Sequence, residues 1–239
     1  MINSLYELNE NMREKLSHSH CGMRIISLFN AYGGSYDFCM FYETDCGILC
    51  SFYSTITYFG GTLDDETLAF ILLNSPMHIE TPLQVAESID LQGYNRIKRY
   101  CFEFSSTEAS KHIQFESKPD LHKVYDIVSR SFSLDIGEDI WFADMSHKVR
   151  HEVSKVYRYK DTVAVNDYKV GNKAYFSQVS TSPETRGKGT AKALLTAIAE
   201  ELKENNIQGF LFAEERLCPF YEKVGFKNTG YEYCFEREV

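Results

Sequence analysis

Ala174-Tyr175-Phe176-Ser177-Gln178-Val179-Ser180-Thr181, running through Ser182-Pro183-Glu184-Thr185 into Arg186-Gly187-Lys188-Gly189-Thr190-Ala191, decides the fold. The first eight residues are rich in β-branched and aromatic types and predict a strand. The loop that follows is basic and glycine-rich, and it opens an apolar helix over 191–202, with Leu194, Leu195, Ile198 and Leu202 on one face. A strand feeding such a loop at a helix N-terminus makes an anion site. Glycines let backbone N–H groups point at a ligand, and the helix dipole adds positive potential. A pyrophosphate suits this arrangement.

Working outward, 208–213 reads as a short buried strand and 218–224 as a short helix closed by Gly225, a fitting C-cap. Residues 231–236 read as a last strand. Upstream, residues 100–105 predict a strand. Apolar residues at 121, 124, 125, 128 and 132 give 121–132 helical spacing, started by Pro119-Asp120. A second short helix is expected over 140–149. Strands follow over 155–159, 162–168 and 174–181, with Gly171 and Asn172 marking a turn. The order is helix, helix, three strands, helix, strand, helix, strand, an α/β unit around a mixed sheet.

The N-terminal part predicts a helix over 6–16, a strand pair 39–43 and 47–59 across 44–46, a helix over 63–73 and a short strand over 77–80. That order echoes the later half of the second unit. Its strand-to-helix turn, however, is Gly60-Gly61-Thr62-Leu63-Asp64-Asp65, acidic where the other is basic. Carboxylates at a helix start repel a pyrophosphate, so an old duplicate here is not expected to bind the same ligand. The polar stretch 92–99 and the Ser-, Lys- and Glu-rich stretch 105–120 bracket the boundary, which divides the chain into domains 1–98 and 99–239.

The chain has 239 residues, 44% hydrophobic and 14% aromatic, enough to bury a sizeable core and to exclude global disorder. Its net charge of −9 argues against a nucleic-acid surface. That charge also suits a cationic substrate such as an amine, although moderate acidity mostly aids solubility. Seven cysteines, an odd number without a Cys-x-x-Cys, read as reduced core thiols of a cytoplasmic protein rather than a disulfide frame or zinc site. Residues 1–14 lack the basic-then-apolar order of a signal peptide, and no apolar run approaches the roughly 18 residues of a membrane span. No membrane partner is expected.

The loop is not a P-loop, because Lys188 is followed by Gly189 and Ser182 stands where the earlier glycine belongs. It is not a dinucleotide fingerprint, because Lys192 occupies the third glycine's place. Its context is Val179-x-Thr181-x-Pro183, then Arg186-x-x-Gly189-x-Ala191, a helix, a strand, and Phe220-Tyr221-Glu222-Lys223-Val224-Gly225-Phe226. This sequence resembles the GNAT superfamily of N-acetyltransferases over roughly 100–239, most specifically over 174–226. The resemblance implies a mixed, mostly antiparallel central sheet flanked by helices, preceded by a smaller α/β N-terminal domain that reads as a degenerate GNAT-like half.

It also implies roles, residue by residue. Val179, Ser180 and Thr181 offer backbone groups to the pantetheine arm of acetyl-coenzyme A, and the Val179 N–H stabilises the oxyanion of the acetyl carbonyl. The N–H groups of Arg186, Gly187, Lys188, Gly189, Thr190 and Ala191 cradle the pyrophosphate, helped by the Arg186 and Lys188 side chains. Tyr221 protonates the departing thiolate; a phenol's pKa of about 10 lies close enough to a thiol's for that transfer. A packing role for Tyr221 is the competing reading.

No strand acid stands before the loop, where some members of the family carry a Glu, and Glu214 stands where many have an Asn. The general base is therefore open. Glu138, Asp139, Asp144 and His147 are candidates, each also readable as an ordinary helix residue. Trp141 and Phe142 suit either a pocket wall or core. His147 and His151 share a helix face without a third ligand, and Cys218 reads as a packed thiol sooner than an acyl carrier. The expected function is acetyl transfer from acetyl-coenzyme A to a primary amine of a small molecule or peptide, without metal. The alternatives are a non-catalytic acetyl-coenzyme A module and a longer acyl donor. The N-terminal unit is expected to wall the acceptor pocket or to make a homodimer contact.

Overall fold

The computed structural model describes residues 1–105, 113–132, 134 and 136–238. Residues 106–112 of the Ser-, Lys- and Glu-rich stretch thus lie outside the described residues. The chain forms two compact units, Met1–Arg99 with Tyr231–Val239, and Tyr100–Gly230. The first contains β1 (Asn3–Ser4), α1 (Glu10–Leu16), α2 (His20–Tyr32), β2 (Cys39–Glu43), β3 (Gly47–Phe52), β4 (Thr55–Gly60), α3 (Asp65–Leu73), β5 (His78–Glu80), α4 (Leu83–Ser88) and the start of β6 (Tyr94–Glu103). The second continues with α5 (Leu121–Ser129), α6 (Glu138–Arg150), β7 (Lys155–Tyr159), β8 (Thr162–Val170), β9 (Lys173–Thr181), α7 (Thr190–Glu204), β10 (Gln208–Ala213) and α8 (Cys218–Val224). The last strand, β11 (Lys227–Arg237), begins in the second unit and ends in the first.

From α1 onward the first unit's order of helices and strands is repeated by the second. The pairing repeats too. Strands β2, β3 and β4 are antiparallel neighbours, β4 runs parallel to β5, and β5 pairs antiparallel with β11. In the second unit β7, β8 and β9 are antiparallel, β9 runs parallel to β10, and β10 pairs antiparallel with β6. This is the mixed, mostly antiparallel sheet flanked by helices that the resemblance implies.

Two differences from the sequence reading have clear causes. The run 47–59 is two strands, because Tyr53 takes a left-handed turn at φ 49° without glycine or proline. Helix α2 falls where the sequence reading assigns no element: its polar His20 and Ser27 are buried with eight others of its thirteen residues, so they mark no solvent-facing side. Its Gly22 packs on Leu16, whose backbone a Cβ would strike.

The second unit's core lies on both faces of its sheet. Leu194, Leu195 and Ile198 of α7 pack on Phe102, Phe176 and Leu211, all 1% exposed or less. Such burial contributes about 1.5–3 kcal/mol per large side chain, which fixes α7 and therefore the loop at its head. On the other face Val124, Val128 and Trp141 pack on Val156, Val163 and Val165. Trp141 is thus core rather than a pocket wall. Asp120 caps α5 through the His122 N–H, as Pro119-Asp120 predicts, and Gly225 closes α8 at φ 104°.

Candidate active site

Strand β9 is where the site begins. It pairs with β10 only over Lys173–Phe176. At Ser177 its register against β8 shifts, and from Gln178 to Thr181 β9 keeps β8 as its neighbour and, among the described residues, pairs with no strand on the β10 side. A bulge kinks a strand and redirects its edge. Here it parts β9 from β10 and leaves the Val179–Thr181 edge facing an open cavity.

That cavity measures about 570 Å³ and lies wholly within the second unit. Val179, Ser180 and Thr181 form one wall, the loop residues Arg186, Gly187, Gly189, Thr190 and Ala191 form its head, and Leu217, Phe220 and Tyr221 face them. The structure therefore brings together every site residue expected from the sequence except Lys188. That side chain is exposed and does not line the cavity.

The loop is built for backbone donation. Gly187 and Gly189 take φ 78° and 76°, conformations L-residues rarely adopt. A Cβ at either would meet no protein atom within 4 Å, so the glycines serve conformation and close approach rather than packing. Gly189 is the N-cap of α7 and supplies no side-chain cap hydrogen bond. The first turn's N–H groups, which have no acceptor within a helix, thus open toward the cavity.

A chain of hydroxyls fixes the loop's ends. Buried Thr162 lies 2.9 Å from the Thr181 hydroxyl and donates to Thr190 Oγ1 at 2.8 Å. The Arg186 side chain is engaged as well: Nε donates to the Thr181 carbonyl and one terminal nitrogen to Ser131 Oγ. Ser180 Oγ donates to the Ile127 carbonyl and lies 2.6 Å from Ser131 Oγ.

Four cations, Arg186, Lys192, Arg216 and Lys223, line the cavity, and among the described residues no carboxylate or histidine does. Lys192, Arg216 and Lys223 were not singled out in the sequence; they come from separate elements whose meeting only the fold reveals. Lys192 Nζ donates to the Lys223 carbonyl, joining α7 to α8. Arg216 makes a two-pronged pair with Glu214 and holds its carboxyl below the usual range. Glu214, in the place of the family's frequent Asn, is thereby committed to that pair.

Tyr221 projects from α8 into a ring cage, 5.4 Å from Phe102, 5.1 Å from Phe220, and parallel to Phe226 at 6.3 Å. Burial pushes its phenol well above the ordinary tyrosine value, which keeps the proton on it but makes it a weaker acid than the free phenol expected from the sequence. Burial also raises the Cys218 thiol, which lies 3.8 Å from the Glu214 carbonyl and stays protonated.

None of the four candidate bases lines this cavity. Glu138 pairs with His122, on which Phe142 stacks. Asp144 is buried in an ion pair with Lys148 at 3.1 Å, and is not a solvated helix residue. His147 stacks on His151 at 4.2 Å. Among the described residues no group of three or more His, Cys, Asp or Glu is placed to hold a metal ion, and no helix is long and apolar enough to cross a membrane.

The first unit's corresponding turn is different. Asp64 caps α3, accepting from the Thr67 N–H at 2.7 Å, with Asp65 and Glu66 behind it. A carboxylate of the chain itself thus occupies that helix start.

Residues 134–237 match the family model described as an acetyltransferase (GNAT) domain. This stretch is a GNAT domain. That domain supports an acyltransferase activity. No curated protein matches the sequence. Among solved structures, the chain is similar to a GCN5-related N-acetyltransferase from Kribbella flavida (TM-score 0.58, 8% identity, 92% of this chain and 94% of that one). It is also similar to a tandem GNAT protein from the clavulanic acid biosynthesis pathway (TM-score 0.57, 10% identity, 98% and 97%). A GCN5-related N-acetyltransferase from Sphaerobacter thermophilus gives TM-score 0.55 at 10% identity over 99% and 95%. At these identities the likeness is one of fold, and it extends over the N-terminal unit, whose element order repeats that of the GNAT unit.

Proposed function

We propose that the chain transfers an acetyl group from acetyl-coenzyme A to a primary amine, within one ternary complex, in the unit Tyr100–Gly230. The observation that carries this reading is the cavity itself. An unpaired strand edge, an uncapped helix start with two left-handed glycines, four cations and a protonated phenol surround about 570 Å³. That combination suits a long thioester ending in a pyrophosphate. Seven thiols, four of them buried, fit a reducing, cytoplasmic setting.

In this mechanism the pyrophosphate rests on the N–H groups from Arg186 to Ala191, with the surrounding cations balancing its charge. The pantetheine arm lies along Val179–Thr181. The neutral amine attacks the thioester carbonyl, a C–N bond forms, and the oxygen takes negative charge beside the Val179 N–H. Collapse breaks the C–S bond and leaves the electron pair on sulfur, which takes the Tyr221 proton. The amine's surplus proton leaves through water, since among the described residues no carboxylate or histidine lines the cavity. Holding both reactants beside Val179 removes much of the entropic barrier.

The same lack of a lining base favours a second reading, a coenzyme-binding module without turnover. Tyr221→Phe separates the two. The catalytic reading expects kcat to fall by about 10²-fold or more with the coenzyme Kd unchanged, measured by free-thiol release with a panel of amines. Equal turnover in the variant removes Tyr221 from the chemistry; no thiol release from the native chain favours the binding module.

A further inference from the structure

The first unit contains a cleft of about 560 Å³, as large as the catalytic one and within the usual range for small-molecule sites. It is enclosed by α1, the β2–β3 turn, the end of β4 and the start of α4, all in the first unit. Its chemistry differs from that of the catalytic cavity. It holds no ring of cations, and the helix start beside it is already capped by Asp64. A pyrophosphate has no seat here.

Two opposite charges line this cleft, Lys15 from α1 and Glu43 from β2. Neither makes an ion pair or hydrogen bond among the described residues, and both are exposed at the cleft. The amides of Asn11 and Gln84 line it as well and are likewise unengaged. The apolar lining comes from Ile48, Phe59, Met12 and Pro82. One cation, one anion, neutral amides and an apolar surface match a ligand that is itself a zwitterion with an apolar body. We infer that the first unit's cleft binds a free α-amino acid with an apolar side chain, its carboxylate toward Lys15 and its ammonium toward Glu43.

Calorimetric titration of the full chain with L-phenylalanine tests this, with N-acetyl-L-phenylalanine and L-phenylalaninamide as probes lacking one charge each. The expected result is saturable binding of L-phenylalanine, weakened at least about tenfold in Lys15→Gln and in Glu43→Gln and for both derivatives. Acetyl-coenzyme A binding and thiol release should be unchanged in both variants, since neither residue belongs to the catalytic cavity. No binding of L-phenylalanine by the native chain overturns the inference. So does binding that survives both substitutions, which places the amino acid elsewhere, and so does equal binding of the derivatives. These outcomes stand apart from the acetyltransferase reading, which the thiol-release assay judges alone.

Discussion

Thr162 is wholly buried at the start of β8, and its hydroxyl meets those of Thr181 and Thr190. It joins the strand that holds the pantetheine arm to the first residue of the helix that holds the pyrophosphate, without touching either. Thr162→Val keeps the shape and removes the hydroxyl, leaving two partners short of a bond. That costs about 1–3 kcal/mol. The account expects KM for acetyl-coenzyme A to rise several-fold while kcat at saturation holds, checked by steady-state kinetics beside a thermal melt. Nothing in the sequence around Thr162 announces this role, because it depends on residues 19 and 28 positions away. Gly187 and Gly189, by contrast, were legible, since a glycine pair in a basic loop has few other reasons to exist there.

Glu80 makes a second residue-scale case. Buried at the end of β5, it faces Arg99 at 3.2 Å, Arg24 at 3.7 Å and His20 at 3.4 Å. Desolvation raises its carboxyl, but the two guanidinium groups override it and hold the carboxyl well below the ordinary value. A depressed folded-state pKa means that the stabilisation is present above the unfolded value, about 4.3, and is lost as pH falls through the folded one. Acid should therefore unfold the first unit through this carboxylate. Glu80→Gln should lower stability at pH 7 by about 1–3 kcal/mol, because the half-buried Arg24 and Arg99 lose the carboxylate between them. It should also flatten the acid limb, followed by far-ultraviolet circular dichroism from pH 7 downward.

At the scale of elements, the sequence read best where punctuation was strong. The sequence reading of strands β7 and β10 and helix α8 has the observed bounds, with Gly225 marking the end of α8. It read worst where a signal was tertiary. Helix α2 has ten buried residues in thirteen, His20 and Ser27 among them, so its polar positions mark no solvent face. Helix α4 spans six residues, too few for a period to show. The register shift at Ser177 was equally invisible, although it opens the cavity. Of the candidate site, the loop, the strand edge and Tyr221 were legible. The cation ring was not, since Lys192, Arg216 and Lys223 belong to α7, the turn Glu215–Leu217 and α8.

Across the whole molecule, the repeat and its exchanged strands matter most. Strand β11 follows the second series of elements yet completes the first unit's sheet, with Phe235 only 1% exposed among Leu49, Ile56 and Ile79. A chain ending at Gly230 should consequently lose its first unit before its second. Hydrogen exchange should show β4 and β5 losing protection while β8, β9 and α7 keep theirs. Equal loss in both units would mean that the exchanged strand is not what holds the first sheet together.

The repeat also sets up two helix starts, of which only the second is open to an anion. The most direct test of this account is calorimetric titration with acetyl-coenzyme A, run beside the double variant Arg186→Glu with Gly189→Asp. The expected result is one site per chain of about micromolar affinity, roughly 8 kcal/mol, lost in the variant. No binding by the native chain, or binding that the double variant retains, would contradict it.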